Sequence, residues 1–219
     1  MNKPYELLIF DWDGTLVNSR AKIFNAVRHG CKIHNYPDPS DEQLANQVGL
    51  ALEKSFQNLY PDETNLPIQS MIDGYEEYFY NNPNESQLFE GTYEILKQLE
   101  TSDYLLAIAT GKRREPLEHD LKNFGIDHFF TITRTPNESP SKPNPQMLFD
   151  ILDYTGLNPN QAIMIGDSIF DLQAAENANM DAIAVSYGIK SIDVLKDYHH
   201  SYVLDKITDL PKLLHSINN

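Results

Sequence analysis

The chain has 219 residues, with 17 Lys and Arg against 32 Asp and Glu, which gives a formal net charge of −15. This length suffices for one large domain, or for one domain that carries a smaller insert. So strong a negative charge repels phosphate backbones and anionic lipid surfaces, and we therefore expect neither nucleic acid nor a membrane as a partner.

Two further features of the sequence indicate the compartment. Cys31 is the only cysteine, which rules out an internal disulfide and agrees with a reducing environment. We expect its thiol to be buried as a small apolar group. The apolar run at 7–10 is too short for a signal peptide, and no stretch reaches the length of a membrane span. We therefore expect a cytoplasmic protein.

Apolar runs of strand length alternate with helical patterns along most of the chain. The runs lie at 5–10, 104–109, 129–133, 162–165 and 181–185. The helical patterns between them cover 92–99, 116–124 and 144–152, and the last stops near Gly156. Strands that alternate with helices predict an α/β fold with a parallel sheet covered on both faces.

The segment 18–86 interrupts this alternation, because it holds several helical patterns in succession and no convincing strand. Helices are expected at 19–27, 51–60 and 67–80, and Ser40 with Gln43 has the spacing of a capping box. We interpret 18–86 as a small all-helical domain inserted after the first strand of a core formed by 1–17 and 87–219. The hinges should fall at 16–19 and 83–89.

Polar residues follow four of the predicted strands, where ligands of open parallel sheets bind. The first strand leads into Asp11 and Asp13, which stand two residues apart and share a face of the extended backbone. The next strand ends at Thr110 and Gly111, which offer a hydroxyl and an unshielded backbone N–H. A phosphate oxygen could rest between them.

The remaining two strand ends supply a lysine and two more acids. Lys142 lies in a loop stiffened by prolines, and Asp167 follows the fourth strand with Asp171 one helical turn beyond it. Four carboxylates thus converge, and like charges held so close raise one another's pKa unless a cation relieves them. Oxygen ligands without His or Cys favour Mg²⁺ over zinc. A bound cation would also attract an anionic substrate to this acidic protein.

In this order, the four segments D-W-D-G-T, Thr110-Gly111, S-K-P-N-P and G-D-S-I-F-D resemble the four motifs of the haloacid dehalogenase-like hydrolase superfamily. The helical insert resembles the cap of the phosphoglycolate phosphatase-like branch. The resemblance spans nearly the whole chain. It implies a Rossmann-like three-layer core, a helical cap that closes over it, and hydrolysis of a small phosphorylated metabolite.

The resemblance also implies a role for each motif residue. Asp11 would be the nucleophile that forms an aspartyl phosphate, and Asp13 the general acid and then the general base. Four residues would hold Mg²⁺, namely Asp11, Asp13 through its backbone carbonyl, Asp167, and Asp171 directly or through water. Three would hold the transferring phosphoryl group, namely Thr110, Gly111 and Lys142.

Ordinary structural roles compete with these assignments. A lysine in a polar loop is usually solvated, although the flanking prolines favour a function for Lys142. Ser168 is interpreted as a helix cap. Four cations lie near the start of the insert and the phosphate-binding turn: Arg20, Lys22, Arg113 and Arg114. For most of them we prefer a role in surface solubility, although one could contact a second anionic group on the substrate.

Rival functions also stay open. A phosphosugar mutase uses the same four motifs, and a catalytically silent domain could bind a partner through its cap. Phosphoglycolate, sugar phosphates, nucleotides and pyrophosphate are all candidate substrates, because selectivity depends on cap residues that the sequence does not place. We expect a monomer or a weak homodimer.

Overall fold

The computed structural model describes residues 5–217, which contain eight strands and ten α-helices. The first and last few residues of the predicted core, 1–4 and 218–219, lie outside the described part. Six strands form one parallel sheet in the order β5-β4-β1-β6-β7-β8. Their bounds are Leu7–Phe10 (β1), Leu105–Ala109 (β4), Ile132–Arg134 (β5), Ala162–Gly166 (β6), Asp181–Val185 (β7) and Tyr202–Leu204 (β8).

The centre of the sheet is apolar on both faces because helices cover it on both sides. Every residue of β1 is buried, and every residue of β6 as well. This is the pattern expected of interior strands in a parallel sheet. Phe10 at the end of β1 pairs in register with Ile108 on one side and Ile165 on the other. The residues that follow these three strands therefore meet at one edge.

Six helices complete the two outer layers of the core. Helices α5 (Thr92–Thr101), α6 (Arg114–Phe124) and α10 (Leu210–Ile217) contribute to the hydrophobic cluster on one face. Helices α7 (Gln146–Thr155), α8 (Ile169–Asn177) and α9 (Ile192–Leu195) contribute to the cluster on the other. The predicted three-layer α/β fold is therefore confirmed.

Four helices follow one another in the inserted segment: α1 (Arg20–Lys32), α2 (Asp41–Ala45), α3 (Leu52–Leu59) and α4 (Ile68–Asn81). Their apolar side chains form a separate hydrophobic cluster, in which Cys31 is 1% exposed. The capping box of Ser40 and Gln43 begins α2 as predicted. The division into a core and a cap at 18–86 stays a proposal, which this separate cluster supports.

Two short strands join the insert to the core. β2 (Val17–Asn18) pairs antiparallel with β3 (Gln87–Leu88), so that the chain leaves and re-enters the core through neighbouring hydrogen-bonded segments. These strands fall at the predicted hinges, although the sequence was interpreted there without strands. Two-residue strands are too short to leave a period in the sequence.

The structure differs from the predicted elements in several places. The expected strand 129–133 begins only at Ile132, because Asp127–Phe129 forms a 3₁₀ turn. Helix α6 starts at Arg114, two residues before the expected 116, and β8 was not predicted at all. Within residues 5–217, no helix is long and apolar enough to cross a membrane.

Candidate active site

Three buried carboxylates gather at the carboxyl edge of the sheet. Asp11 follows β1, Asp167 follows β6, and Asp171 lies in the first turn of α8. One oxygen from each lies within 4.8 Å of the others, and the three residues are 2%, 0% and 0% exposed. Among residues 5–217 they are the group of acids whose geometry can hold a metal ion.

The proximity of these acids changes their proton affinity. Burial, opposed by Lys142 and reinforced by the charge of Asp171, raises the pKa of Asp11 to about 7. Burial and the neighbouring charge of Asp11 likewise raise the pKa of Asp167 well above its ordinary value. The cluster therefore holds its full negative charge only with help from a cation.

Lys142 supplies one such cation from the loop that follows β5. Its Nζ donates to Asp11 Oδ1 at 2.7 Å, to Asp171 Oδ1 at 2.5 Å and to the carbonyl of Ala109 at 2.9 Å. The side chain is completely buried, so the solvated alternative for this lysine is wrong. Burial alone would lower the pKa of Lys142, but the two carboxylates outweigh it and raise it.

Asp171 is occupied by hydrogen bonds on both of its oxygens. Oδ1 accepts from Lys142, and Oδ2 accepts from the backbone N–H of Ser168 at 3.0 Å and from its hydroxyl at 2.6 Å. Ser168 in turn caps α8 in a capping box, which confirms its predicted role. Asp171 thereby holds the lysine in place and fixes the start of α8.

Asp167 has one buried carboxylate oxygen that accepts no hydrogen bond from the described residues. Its Oδ2 accepts from the backbone N–H of Ile189 at 2.6 Å, whereas its buried Oδ1 has no hydrogen-bond partner in the described chain. Gly14, at φ +87°, and Gly188 lie so close that an added Cβ would fall 2.2 Å from an atom of Asp167 in each case. Two glycines are therefore needed to seat this carboxylate. An unpaired buried carboxylate oxygen fits a metal ligand.

Asp13 lies outside the carboxylate cluster but lines the same cavity as Asp11, Thr110 and Gly111. Its Oδ2 is 3.6 Å from the Nζ of Lys112, and its buried Oδ1 has no partner among residues 5–217. Thr110, which follows β4, accepts a hydrogen bond on Oγ1 from the backbone N–H of Lys112. The structure thus brings all the predicted site residues to one edge of the sheet.

The inserted helices contact this edge directly. A Cβ on Gly111 would lie 2.8 Å from the carbonyl oxygen of Gly49, so the turn after β4 and the loop before α3 approach as closely as backbones can. Arg113 forms ion pairs with Glu53 of α3 and, at 3.4 Å, with Glu76 of α4. Surface solubility is therefore the wrong interpretation of Arg113, which joins the core to two inserted helices.

Lys22 of α1 is also not a surface residue, because it is only 2% exposed. Its Nζ lies 3.6 Å from the centroid of the Phe79 ring, and the Nζ of Lys112 lies 3.9 Å from the same centroid. Burial lowers the pKa of Lys22. In contrast, Arg20 is exposed, and Arg114 pairs with Glu138 of the core at 2.9 Å.

Sequence reasoning missed two contributors to the site. Lys112 was given no role from the sequence, yet it pairs with Asp13 and, at 3.1 Å, with Asp120. The backbone of Gly188 and Ile189 supports Asp167 from the loop after β7. The sequence signal for this contribution was Gly188, which lies just beyond the fifth predicted strand, 181–185. The carboxyl ends of all parallel strands in the sheet lie at the same edge, so the loop after this strand is also expected near the site.

Comparison with known proteins agrees with this arrangement. A sequence model of the family described as haloacid dehalogenase-like hydrolase matches residues 8–185. The chain is 31% identical over 208 residues to pyrophosphatase PpaX of Halalkalibacterium halodurans, covering 93% of this chain and 94% of that one.

Solved structures of similar proteins give the same result. A haloacid dehalogenase-like family hydrolase from Streptococcus pneumoniae superposes with a TM-score of 0.83 at 28% identity, covering 97% and 99% of the two chains. A structure described as a predicted phosphoglycolate phosphatase from Haemophilus somnus gives a TM-score of 0.85 at 25% identity, with coverage of 97% and 99%.

Proposed function

The chain belongs to the haloacid dehalogenase-like hydrolase family and is a phosphatase, and from that premise we propose that it hydrolyses a small phosphorylated metabolite with Asp11 as nucleophile and Mg²⁺ as cofactor. The observation that carries the proposal is the buried group of Asp11, Asp167 and Asp171 around the ammonium of Lys142. So many fixed charges in one place suit phosphoryl transfer, in which positioning and charge stabilisation supply most of the catalysis.

The nucleophile is a carboxylate oxygen of Asp11. Lys142 holds Oδ1, and no residue between 5 and 217 donates a hydrogen bond to Oδ2, which is therefore the oxygen we assign to the attack on phosphorus. The new bond joins this oxygen to phosphorus while the bond from phosphorus to the leaving oxygen breaks. An aspartyl phosphate forms, and the leaving group departs as an alcohol once it is protonated.

The proton comes from Asp13. Its side chain shares the cavity with Asp11, and its buried Oδ1 has no other hydrogen-bond partner in the described residues. Asp13 gives its proton to the leaving oxygen in the first step. In the second step it takes a proton from the water that attacks the aspartyl phosphate, and inorganic phosphate leaves with Asp11 regenerated.

The residues fit a bound Mg²⁺. The donors are all oxygens, the set includes the unpaired Oδ1 of Asp167, and Asp11 is buried together with two further carboxylates. We assign Asp11, Asp167 and the backbone carbonyl of Asp13 as ligands, with Asp171 acting through water because its own oxygens are engaged. When bound, the ion neutralises phosphate oxygens and polarises phosphorus.

Thr110, Gly111 and Lys142 would orient the phosphoryl group. The hydroxyl oxygen of Thr110 already accepts from the N–H of Lys112, which leaves its own proton free to donate to a phosphate oxygen. Gly111 offers its backbone N–H in the same turn.

We further propose that the protein acts in the cytoplasm as a monomer or a weak homodimer. Light scattering after size-exclusion chromatography would check the oligomeric state.

The decisive experiment measures phosphate release from a panel of phosphorylated metabolites, with Mg²⁺ and with EDTA. Release should require the metal, and Asp11→Asn should lower it by at least about 1,000-fold. Exposed Asp62 gives the matched control, since Asp62→Asn should leave the rate unchanged.

Two results would contradict the proposal. Ordinary hydrolysis by the Asp11→Asn variant at saturating substrate and Mg²⁺ would show that Asp11 is not the nucleophile. An isomerised sugar phosphate in place of free phosphate would make the protein a mutase.

A further inference from the structure

A cavity of about 60 Å³ lies between the inserted helices and the edge of the sheet. Asp11, Asp13, Thr110 and Gly111 line its core end, where the phosphoryl group would sit. The space corresponds to about four to six water-sized groups, since each needs about 10 to 15 Å³ by this measure. A leaving group that fits beside the phosphoryl group must therefore be short.

The cap end of the cavity is mostly apolar. Helices α1 to α3 and the loop between α2 and α3 supply its aliphatic lining, which includes Ile23, Val27, Leu44, Val48, Leu52 and Leu59. Gln47, Ser55 and Tyr75 add polar groups, of which Gln47 and Ser55 already form hydrogen bonds within the insert. Most of the aliphatic side chains also belong to the hydrophobic cluster of the insert. A charged or strongly hydrated leaving group placed among the aliphatic side chains would lose its water and gain no partner from them.

The cations that line the cavity are already paired. Lys112 pairs with Asp13 at 3.6 Å and with Asp120 at 3.1 Å, and Arg113 pairs with Glu53 and Glu76. Glu76 is itself part of the lining and adds a negative charge to it. Among the cavity-lining residues in the described chain, none offers an unpaired cation to a second anionic group.

We propose that the substrate is a phosphate monoester of a short, uncharged alcohol with a hydrocarbon body, and that the apolar end of the cavity holds this body as the leaving group. The proposal rests on the proposed function, because it takes the core end of the cavity as the phosphoryl site. The proposed substrate differs from pyrophosphate, the substrate named for the pyrophosphatases to which this chain is similar, because the leaving group of pyrophosphate is a multiply charged phosphate.

A matched pair of substrates tests the proposal. Isobutyl phosphate and phosphoglycolate have leaving groups of the same branching and the same number of non-hydrogen atoms, but one ends in two methyl groups and the other in a carboxylate. The kcat/KM for isobutyl phosphate should exceed that for phosphoglycolate, and that for pyrophosphate, by at least about 100-fold. An equal or higher kcat/KM for either anionic substrate would overturn the proposal.

Leu52 offers a test by substitution, because it lines the cavity and is partly exposed. Leu52→Lys should narrow the preference for isobutyl phosphate over phosphoglycolate by at least about tenfold. Leu52→Met should keep the preference, since it conserves volume and polarity. Tyr154→Lys adds the same charge at a residue that is 63% exposed and does not line the cavity, and it should also keep the preference.

The outcomes separate this proposal from the function on which it rests. If phosphate release depends on Asp11 but the preference is absent, or is the same in Leu52→Lys as in Leu52→Met, then the apolar leaving-group site is refuted and the phosphatase mechanism stands. If neither the matched pair nor p-nitrophenyl phosphate gives Asp11-dependent release, both fail. Val48→Thr, nearly isosteric, repeats the test should Leu52→Lys fail to fold, and should lower the kcat/KM for isobutyl phosphate alone.

Discussion

Replacing Lys142 with methionine removes the one ammonium that touches the carboxylates of Asp11 and Asp171 among the described residues. Breaking a buried ion pair by deleting one partner costs about 3 to 5 kcal/mol, because the other charge stays buried and unpaired. For 219 residues, a loss of about 4 kcal/mol in the free energy of unfolding lowers the Tm by about 9 °C.

The loss should depend on pH in a defined direction. The pKa of Asp11 is raised to about 7 by burial even though Lys142 opposes the shift, so removing the lysine raises it further. At pH 6 the carboxyl group of the variant takes up a proton, which relieves the unpaired charge. At pH 8 this relief is smaller, and the loss of stability in Lys142→Met should therefore be larger at pH 8 than at pH 6.

Urea unfolding in EDTA at both pH values measures this effect. Lys97→Met, at an exposed lysine of α5, is the control and should change the free energy of unfolding by less than about 0.5 kcal/mol. In an Asp11→Asn background, Lys142→Met should cost less than it does alone, because one of the two charges has gone. A cost below about 1 kcal/mol at pH 8, or an equal cost in both backgrounds, would refute the reasoning.

Three further predictions concern the glycine turn, the metal and the cap. Gly14→Ala should lower the free energy of unfolding by about 2 kcal/mol and weaken Mg²⁺-dependent activity, because the added Cβ collides with the carboxylate of Asp167. Gly156→Ala is the control: it has φ +70° with open space around it, and the change should lower stability but keep activity. Mg²⁺ at 100 times its Kd at pH 8 should raise the Tm at that pH by about 6 °C. The same Mg²⁺ concentration should raise the Tm by less at pH 6, because protons compete for Asp11, and an equal rise at both pH values in differential scanning fluorimetry would contradict this. Arg113→Ala should speed hydrogen exchange in α3 and α4, whereas Arg114→Ala, whose partner Glu138 belongs to the core, should leave those helices unchanged.

Sequence reasoning predicted the parts of the site whose positions are determined by the ends of the strands. β1, β4 and β6 are continuous apolar runs, and the residues just past them meet at one edge wherever parallel strands pair in register. Asp11, Thr110 and Asp167 could therefore be placed together without knowledge of any distance. A function for Lys142 was favoured by its flanking prolines, but its burial and its two carboxylate partners depend on side-chain geometry.

The parts that escaped prediction depend on contacts between distant segments. β8 has three residues, of which Val203 is 43% exposed at the edge of the sheet, so the strand shows no apolar run. Lys22 lies in a polar segment at the start of α1, so the sequence predicts exposure. Its burial depends on the packing of α1 beside Phe79. The apolar cavity likewise arises from three helices whose mutual placement no local pattern records.

From the pairing of β2 with β3 we propose that the inserted helices form an exchangeable module. Val17 faces Leu88 across a two-stranded ribbon, so a foreign segment whose ends lie about 5 Å apart would match the geometry of this junction. Recombination at this one place could diversify what the protein recognises, while the strands that hold the carboxylates remain as they are. A chain closed there by a tight hairpin turn would expose the proposed catalytic edge to bulky phosphorylated macromolecules.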